Sequence, residues 1–198
     1  MESDSNFLKR NGDVRNLKAY KVSVIISFIT EFFVKKYINS RSRTVDQMQQ
    51  AARSCKQNIV EGHDSGLTSK ETEIKLTNVA RSSLSELEED FIDYLKFNNL
   101  SLWQKDNPRL IKLREYVRTP DFEKNYPILI TKLNAEEICN LSITLIKQTQ
   151  FLLDRLMEKL KDRFLREGGI REQMTRARIS HRNGYTNPPR ENPPSSNS

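Results

Sequence analysis

This chain of 198 residues holds only two cysteines, two histidines and six glycines. Cys55 and Cys139 share no CxxC spacing and have no histidine nearby, so neither a zinc site nor a redox pair is expected. Both fall on apolar helical positions, where free cysteine packs as a small hydrophobe. His63 and His181 lie at a helix end and in a basic tail, without a nucleophile or ligand partner at useful spacing. The few glycines form no phosphate loop, and neither a nucleophile elbow nor an HExxH motif occurs. A non-enzymatic protein with no metal and no cofactor is therefore expected. Long apolar runs are missing too. Residues 22–34 are the densest apolar stretch, but Ser23, Ser27, Thr30 and Glu31 interrupt it, and it falls short of the roughly 20 residues of a membrane span. Residues 1–16 are polar and charged, unlike a secretory signal, so a cytoplasmic protein without a membrane partner is expected. No repeat of the solenoid kind is present.

What the chain does have is charge and helical periodicity. Its 33 basic side chains stand against 26 acidic ones, a net charge of +7, so distribution matters more than the sum. A first helix is expected over 14–37, with an apolar surface (Tyr20, Val24, Ile25, Phe28, Ile29, Phe32) wider than one stripe. That width implies a central position or a second interface with another subunit. After the linker 39–43, Thr44 and Gln47 have the spacing of a capping box. Met48, Ala52, Cys55 and Ile59 then line one face of a second helix, which Gly62 and Gly66 are expected to end. Thr68 and Glu71 form another candidate box before a third helix. Its core stripe would hold Ile74, Val79, Ala80, Leu84, Leu87, Phe91, Tyr94 and Leu95, and its other side is acidic (Glu86, Glu88, Glu89, Asp90, Asp93). Between 98 and 134, Pro108, Pro120 and Pro127 should confine helix to a short piece near 109–117, packed over one end of the fold. Asn134 with Glu137 caps a fourth helix carrying Ile138, Leu141, Leu145, Leu152, Leu156 and Leu160, and Gly168-Gly169 stops it.

Four long amphipathic helices can bury their stripes only against one another. The expected fold is all-α: an antiparallel four-helix bundle over 14–167, with a helical insert between helices three and four. A flexible N-terminus (1–13), a basic suffix helix (168–182) and a disordered tail (183–198) complete the chain. The suffix is basic, with Arg171, Arg178 and Arg182 on one face, and the tail is too rich in Pro, Asn and Ser to pack.

Gln47, Ala51, Ala52, Ser54, Asn58, Ile59, Glu61 and Gly62, followed by Ala80, Arg81, Ser83 and Glu86, carry a resemblance. They resemble the motifs QxRRAAxSxxxNIAEG and AxGSLxE of a bacterial four-helix-bundle family. That family includes the ribosomal-RNA intervening-sequence proteins and the accessory variability determinant of diversity-generating retroelements. Residues 167–178 look like the basic extension of its four-helix-bundle suffix variant. The resemblance implies a homopentameric barrel and, for the accessory determinant, binding to nucleic acid and to a reverse transcriptase. The chain departs from the motifs at Gln49-Gln50, where the family has two arginines, at Lys56-Gln57, where it has a proline, and at Ser82, where it has a glycine. The missing arginines shift the expected RNA or DNA contact to the linker and the suffix: Lys35, Lys36, Arg41, Arg43, Arg53 and Lys56 with Arg171, Arg176, Arg178 and Arg182.

Other readings of these residues stand beside this one. The basic side chains also suit a solvated surface, or a tail docked on the acidic face of helix three in a neighbour, and they lack interleaved aromatics for stacking bases. Asn58, Glu61 and Glu86 suit a hydrogen-bonded network that sets helix register, with Ser83 or Arg81 compensating Glu61, better than a paired-carboxylate site. The expected protein is a homo-oligomeric adaptor that holds nucleic acid, with a protein-interaction scaffold as the alternative.

Overall fold

Side-chain caps set where the long helices begin. In the computed structural model, which describes residues 12–185, a 3-10 turn (Val14–Asn16) precedes α1 (Lys18–Tyr37), α2 (Arg43–Ser65) and α3 (Lys70–Phe97). Then come α4 (Pro108–Tyr116), α5 (Pro120–Lys132), α6 (Ala135–Glu167) and α7 (Ile170–Tyr185). The protein is all-α, and no strand occurs among the described residues.

Asn134 and Glu137 form the expected reciprocal box: each backbone N–H donates to the other side chain, at 2.9 and 3.0 Å. The other two boxes do not form. Ser42, extended at φ −75° and ψ 133°, caps α2 by accepting from the Thr44 N–H, so Thr44 already lies inside the helix. Ser69, not Thr68, caps α3 through the Thr72 N–H at 3.1 Å. The first helix also starts later than expected. Asp13 accepts from the Arg15 N–H and winds 14–16 into the tighter turn, and Leu17 is extended, so α1 begins at Lys18.

Gly62 does not end α2, which continues to Ser65 and is capped by Gly66. Its role is close approach: a Cβ there would stand 3.3 Å from the Leu76 Cβ and 3.4 Å from the Glu73 carbonyl oxygen. That proximity turns the start of α3, so Glu73 and Thr77 are buried there while Val79 is exposed and Ile74 only half-buried, contrary to the expected stripe. Glu73 is neutralised by Lys70 at 3.3 Å, as a buried carboxylate requires.

The insert holds two helices instead of one. Pro120 takes the first position of α5, where its missing N–H costs nothing, and Thr119 caps the helix through the Phe122 N–H. Pro127 is tolerated inside α5 because the buried Phe122 and Ile130 anchor the helix on the core from either side.

Side-chain bonds fix how the four long helices run. Arg81 meets Asp154 at 2.7 Å, Ser85 meets Gln150 at 3.1 Å and Glu88 meets Lys147 at 3.1 Å, so α3 and α6 are antiparallel. The Ser83 hydroxyl donates to Ser54 Oγ at 3.2 Å while Gly62 lies beside Leu76, which makes α2 and α3 antiparallel as well. The Gln49 amide donates to Glu31 at 2.6 Å between α1 and α2, and the Tyr37 hydroxyl donates to the Leu133 carbonyl beside the start of α6. Phe33, Phe91, Met48, Leu84, Leu87 and Ile138 are fully buried in the shared core.

Both cysteines are buried as expected. Burial pushes the Cys55 thiol up to about 12, and burial with the nearby Glu136 charge pushes Cys139 up as well. No helix among the described residues is long and apolar enough to cross a membrane. At the C-terminus α7 continues through 183–185, into the expected tail. The rest of that tail and residues 1–11 lie outside the described residues.

Candidate nucleic-acid interface

Eight of the ten basic residues singled out above fall into two groups at opposite ends of the long helices, and Arg53 and Lys56 lie partway along α2. Lys35, Lys36, Arg41 and Arg43 surround the α1–α2 link, while Arg171, Arg176, Arg178 and Arg182 follow α6. The link shares an end with the start of α6, as the Tyr37–Leu133 bond shows, and the 33 residues of α6 span about 50 Å. One chain therefore does not bring the two groups into a single patch.

Within the first group the side chains have different occupations. Lys35 pairs with Glu31 at 2.7 Å, and Lys35 followed by Gln49 holds the Glu31 carboxyl below its ordinary range. Gln49, which stands where the family motif has arginine, thus links α1 to α2. Lys36 lies over the Phe32 and Tyr37 rings at 5.3 and 5.0 Å. Arg41, Arg43 and Arg53 are exposed and Lys56 is half-buried. Arg53 sits about 15 Å along α2 from Arg43, so it extends the link's surface down one flank.

In the suffix, Gly168 adopts φ +74° and caps α6, and α7 follows directly. Spacings of seven and four place Arg171, Arg178 and Arg182 on one exposed face. Arg176 does not join them, because its guanidinium donates to the Glu167 carbonyl and closes the turn.

The motif residues divide between a helix seam and open surface. Ala51, Ala52, Ile59, Gly62, Ala80 and Ser83 are buried, and the Asn58 amide donates to the Ser54 carbonyl and hydroxyl. Gln47, Glu61 and Glu86 are exposed. Within the chain neither expected partner compensates Glu61: Arg81 pairs with Asp154 and Ser83 bonds Ser54. With 54 opposite 83 and 62 opposite 76, Glu61 and Glu86 lie about ten residues apart along the pair, roughly 15 Å. They do not form a paired-carboxylate site. The acidic face of α3 is partly occupied within the chain, since Glu88 holds Lys147. There Asp90 is pushed up by burial first, then by the charges of Asp93 and Glu86. Among the described residues no cluster of His, Cys, Asp or Glu is arranged to hold a metal.

The reading above misses one site, a pocket of about 410 Å³ between α3, the 98–107 link, α4 and α6. Trp103, Lys105, Arg114, Arg118, Lys147 and Phe151 line it. The link is pinned to α6: Asn140 accepts from the Trp103 N–H at 2.9 Å and donates to the Ser101 carbonyl. Glu136 accepts from the Trp103 indole N–H at 2.8 Å and the Ser101 N–H at 3.0 Å, and these bonds hold its carboxyl below the ordinary range. Arg109 stacks over the indole at 5.1 Å. Cations and aromatics do meet, but they come from three separate segments. Spacing along one element shows only that 144, 147, 148 and 151 share a helix face, while Arg118 lies in the turn after α4. Compared with family models, with curated proteins and with solved structures, the chain gives no match.

Proposed function

We propose that this protein is a homo-oligomeric adaptor, an antiparallel four-helix bundle whose basic surfaces hold RNA or DNA without catalysing a reaction. The antiparallel runs of α2 on α3 and of α3 on α6 support the bundle, with α4 and α5 as its insert. The observation that carries nucleic-acid binding is the set of exposed cations at the α1–α2 link. Arg41, Arg43 and Arg53 make no ion pair among the described residues, so their charge is free for phosphate. In a ring of identical chains the set repeats, which strengthens its field. The resemblance adds a pentamer and a partner enzyme such as a reverse transcriptase.

The test is fluorescence anisotropy with labelled RNA, single-stranded DNA and duplex DNA over a range of salt. The logarithm of affinity should fall with that of salt by about 0.7–0.9 per phosphate contacted, and Arg41→Ala with Arg43→Ala should reduce the slope by about 1–2. No binding at low salt, or a flat salt dependence, would contradict the proposal.

A second reading is a protein-interaction scaffold, favoured by exposed apolar side chains. Phe97 and Leu165 are 84% and 79% exposed at the ends of α3 and α6. In that case deleting 170–198 abolishes binding of a protein partner and leaves nucleic-acid binding unchanged.

A further inference from the structure

The pocket between α3, α4 and α6 has the size of a small-ligand site, about 410 Å³ against a usual range of about 300–1,000 Å³. Ile92, Leu110, Val117 and Ile143 give it an apolar floor, and no carboxylate lines it. Lys147 is engaged by Glu88, but Lys105, Arg114 and Arg118 make no ion pair among the described residues. The pocket therefore presents several uncompensated cations to whatever enters. Phe151 is 62% exposed at its rim, with the Arg155 guanidinium 5.9 Å from its ring centroid.

The polar atoms of the wall narrow the choice of ligand. Asn140 spends its amide on Ser101, Glu136 and Trp103, and the Thr144 hydroxyl donates to the Asn140 carbonyl. Gln148 Oε1 is different: it is buried with no hydrogen-bond partner. A buried acceptor left unpaired is costly, and a ligand N–H would satisfy it. A ligand matching all three features carries a phosphate for the arginine pair, a flat ring for the aromatic rim and an amino group for the amide oxygen.

We propose that this pocket binds a nucleoside monophosphate with an amino-bearing base. Its phosphate lies on Arg114 and Arg118, its ring against Phe151, and its amino group donates to Gln148 Oε1. An aliphatic carboxylate would fill the floor and meet one cation, but it would leave Gln148 unpaired. The site goes beyond the proposed adaptor function, because a free nucleotide would occupy it even in a protein that binds no strand.

Trp103 is the only tryptophan and lines both this pocket and a neighbouring one with Arg109 and Lys112, so the variants at Arg114, Arg118 and Gln148, which line this pocket only, assign its emission change. The full chain is titrated with AMP, CMP, UMP, adenosine, inorganic phosphate and octanoate, with inner-filter correction. AMP and CMP should give saturable quenching, with UMP, adenosine, phosphate and octanoate each at least about tenfold weaker. Arg114→Ala with Arg118→Ala should weaken AMP by about tenfold or more at unchanged helicity and melting temperature. Because the half-buried Arg114 lies in the last turn of α4, where its loss can disturb the helix, a second variant, Gln148→Leu, tests the assignment independently by removing the preference for AMP over UMP. Displacement of AMP by a short 5′-phosphorylated oligonucleotide would support the site and assign its ligand to a strand end; quenching by AMP without displacement would support it with a free nucleotide. Absence of saturable quenching by any nucleotide, octanoate binding as tightly as AMP, or quenching indifferent to the arginine pair would overturn the proposal. Arg41→Ala with Arg43→Ala should leave the quenching unchanged, so this site and the strand-binding surface fail separately.

Discussion

Replacing Phe33 with alanine is expected to destabilise the protein by about 3–5 kcal/mol. The ring is fully buried and sits 4.8 Å from Tyr94, 5.1 Å from Phe91 and 5.4 Å from Tyr37. Truncation removes both the transfer free energy of the ring and the edge-to-face contacts that join α1 to α3, and the three aromatics around it are too rigid to close the gap. In a chain of this length each kcal/mol moves the melting temperature by about 2–4 °C, so a drop of roughly 6–20 °C should appear in thermal denaturation followed by circular dichroism. A loss under about 1 kcal/mol would mean that this cluster does not bind the two helices together. The same cluster positions the α1–α2 link, because Tyr37 reaches the Leu133 carbonyl just beyond it. The variant should therefore also weaken nucleic-acid binding without touching a basic residue.

The second large effect concerns assembly. Val24 and Phe28 lie four residues apart on the outer face of α1, 36% and 45% exposed, and Ile128 on α5 is 61% exposed. Phe28 meets Tyr126 edge-to-face at 5.5 Å, which joins the two helices into one apolar surface. In the proposed oligomer a neighbouring copy covers this surface, and two carboxylates in it would be desolvated without partners on association. Val24→Glu with Phe28→Glu is expected to reduce the assembly to a single chain of 23.2 kDa while retaining helicity. A double variant that keeps a wild-type mass of several chains would show that the subunits of the proposed oligomer meet elsewhere.

Periodicity alone reveals α1, α2, α3 and α6, because each must bury a stripe and apolar residues recur at three and four. The caps are harder to place. Ser42 precedes Thr44 and Ser69 follows Thr68, and any of these hydroxyls has the chemistry to cap; backbone geometry at the turn decides among them. Proline misleads in α5: Pro120 opens the helix, and Pro127 is outweighed by the burial of Phe122 and Ile130, which cannot be read locally. Gly62 looks like a stop and is a point of close contact, since the partner that needs the space, α3, lies beyond the turn. The exposed arginines of the link and suffix are legible as surface charge. Arg176 is not, because its partner is a backbone carbonyl across the Gly168 turn. Trp103, Arg114, Arg118 and Phe151 come together only once the insert folds onto α6, so no spacing along the chain announces that pocket.

The central claim is an oligomer that carries nucleic acid. Size-exclusion chromatography with light scattering, and with absorbance at protein and nucleic-acid wavelengths, tests both parts on untreated protein. The account predicts a mass of several times 23.2 kDa, five times for a pentamer, with absorbance in excess of that of protein alone. A single-chain mass with a protein-only spectrum would contradict it.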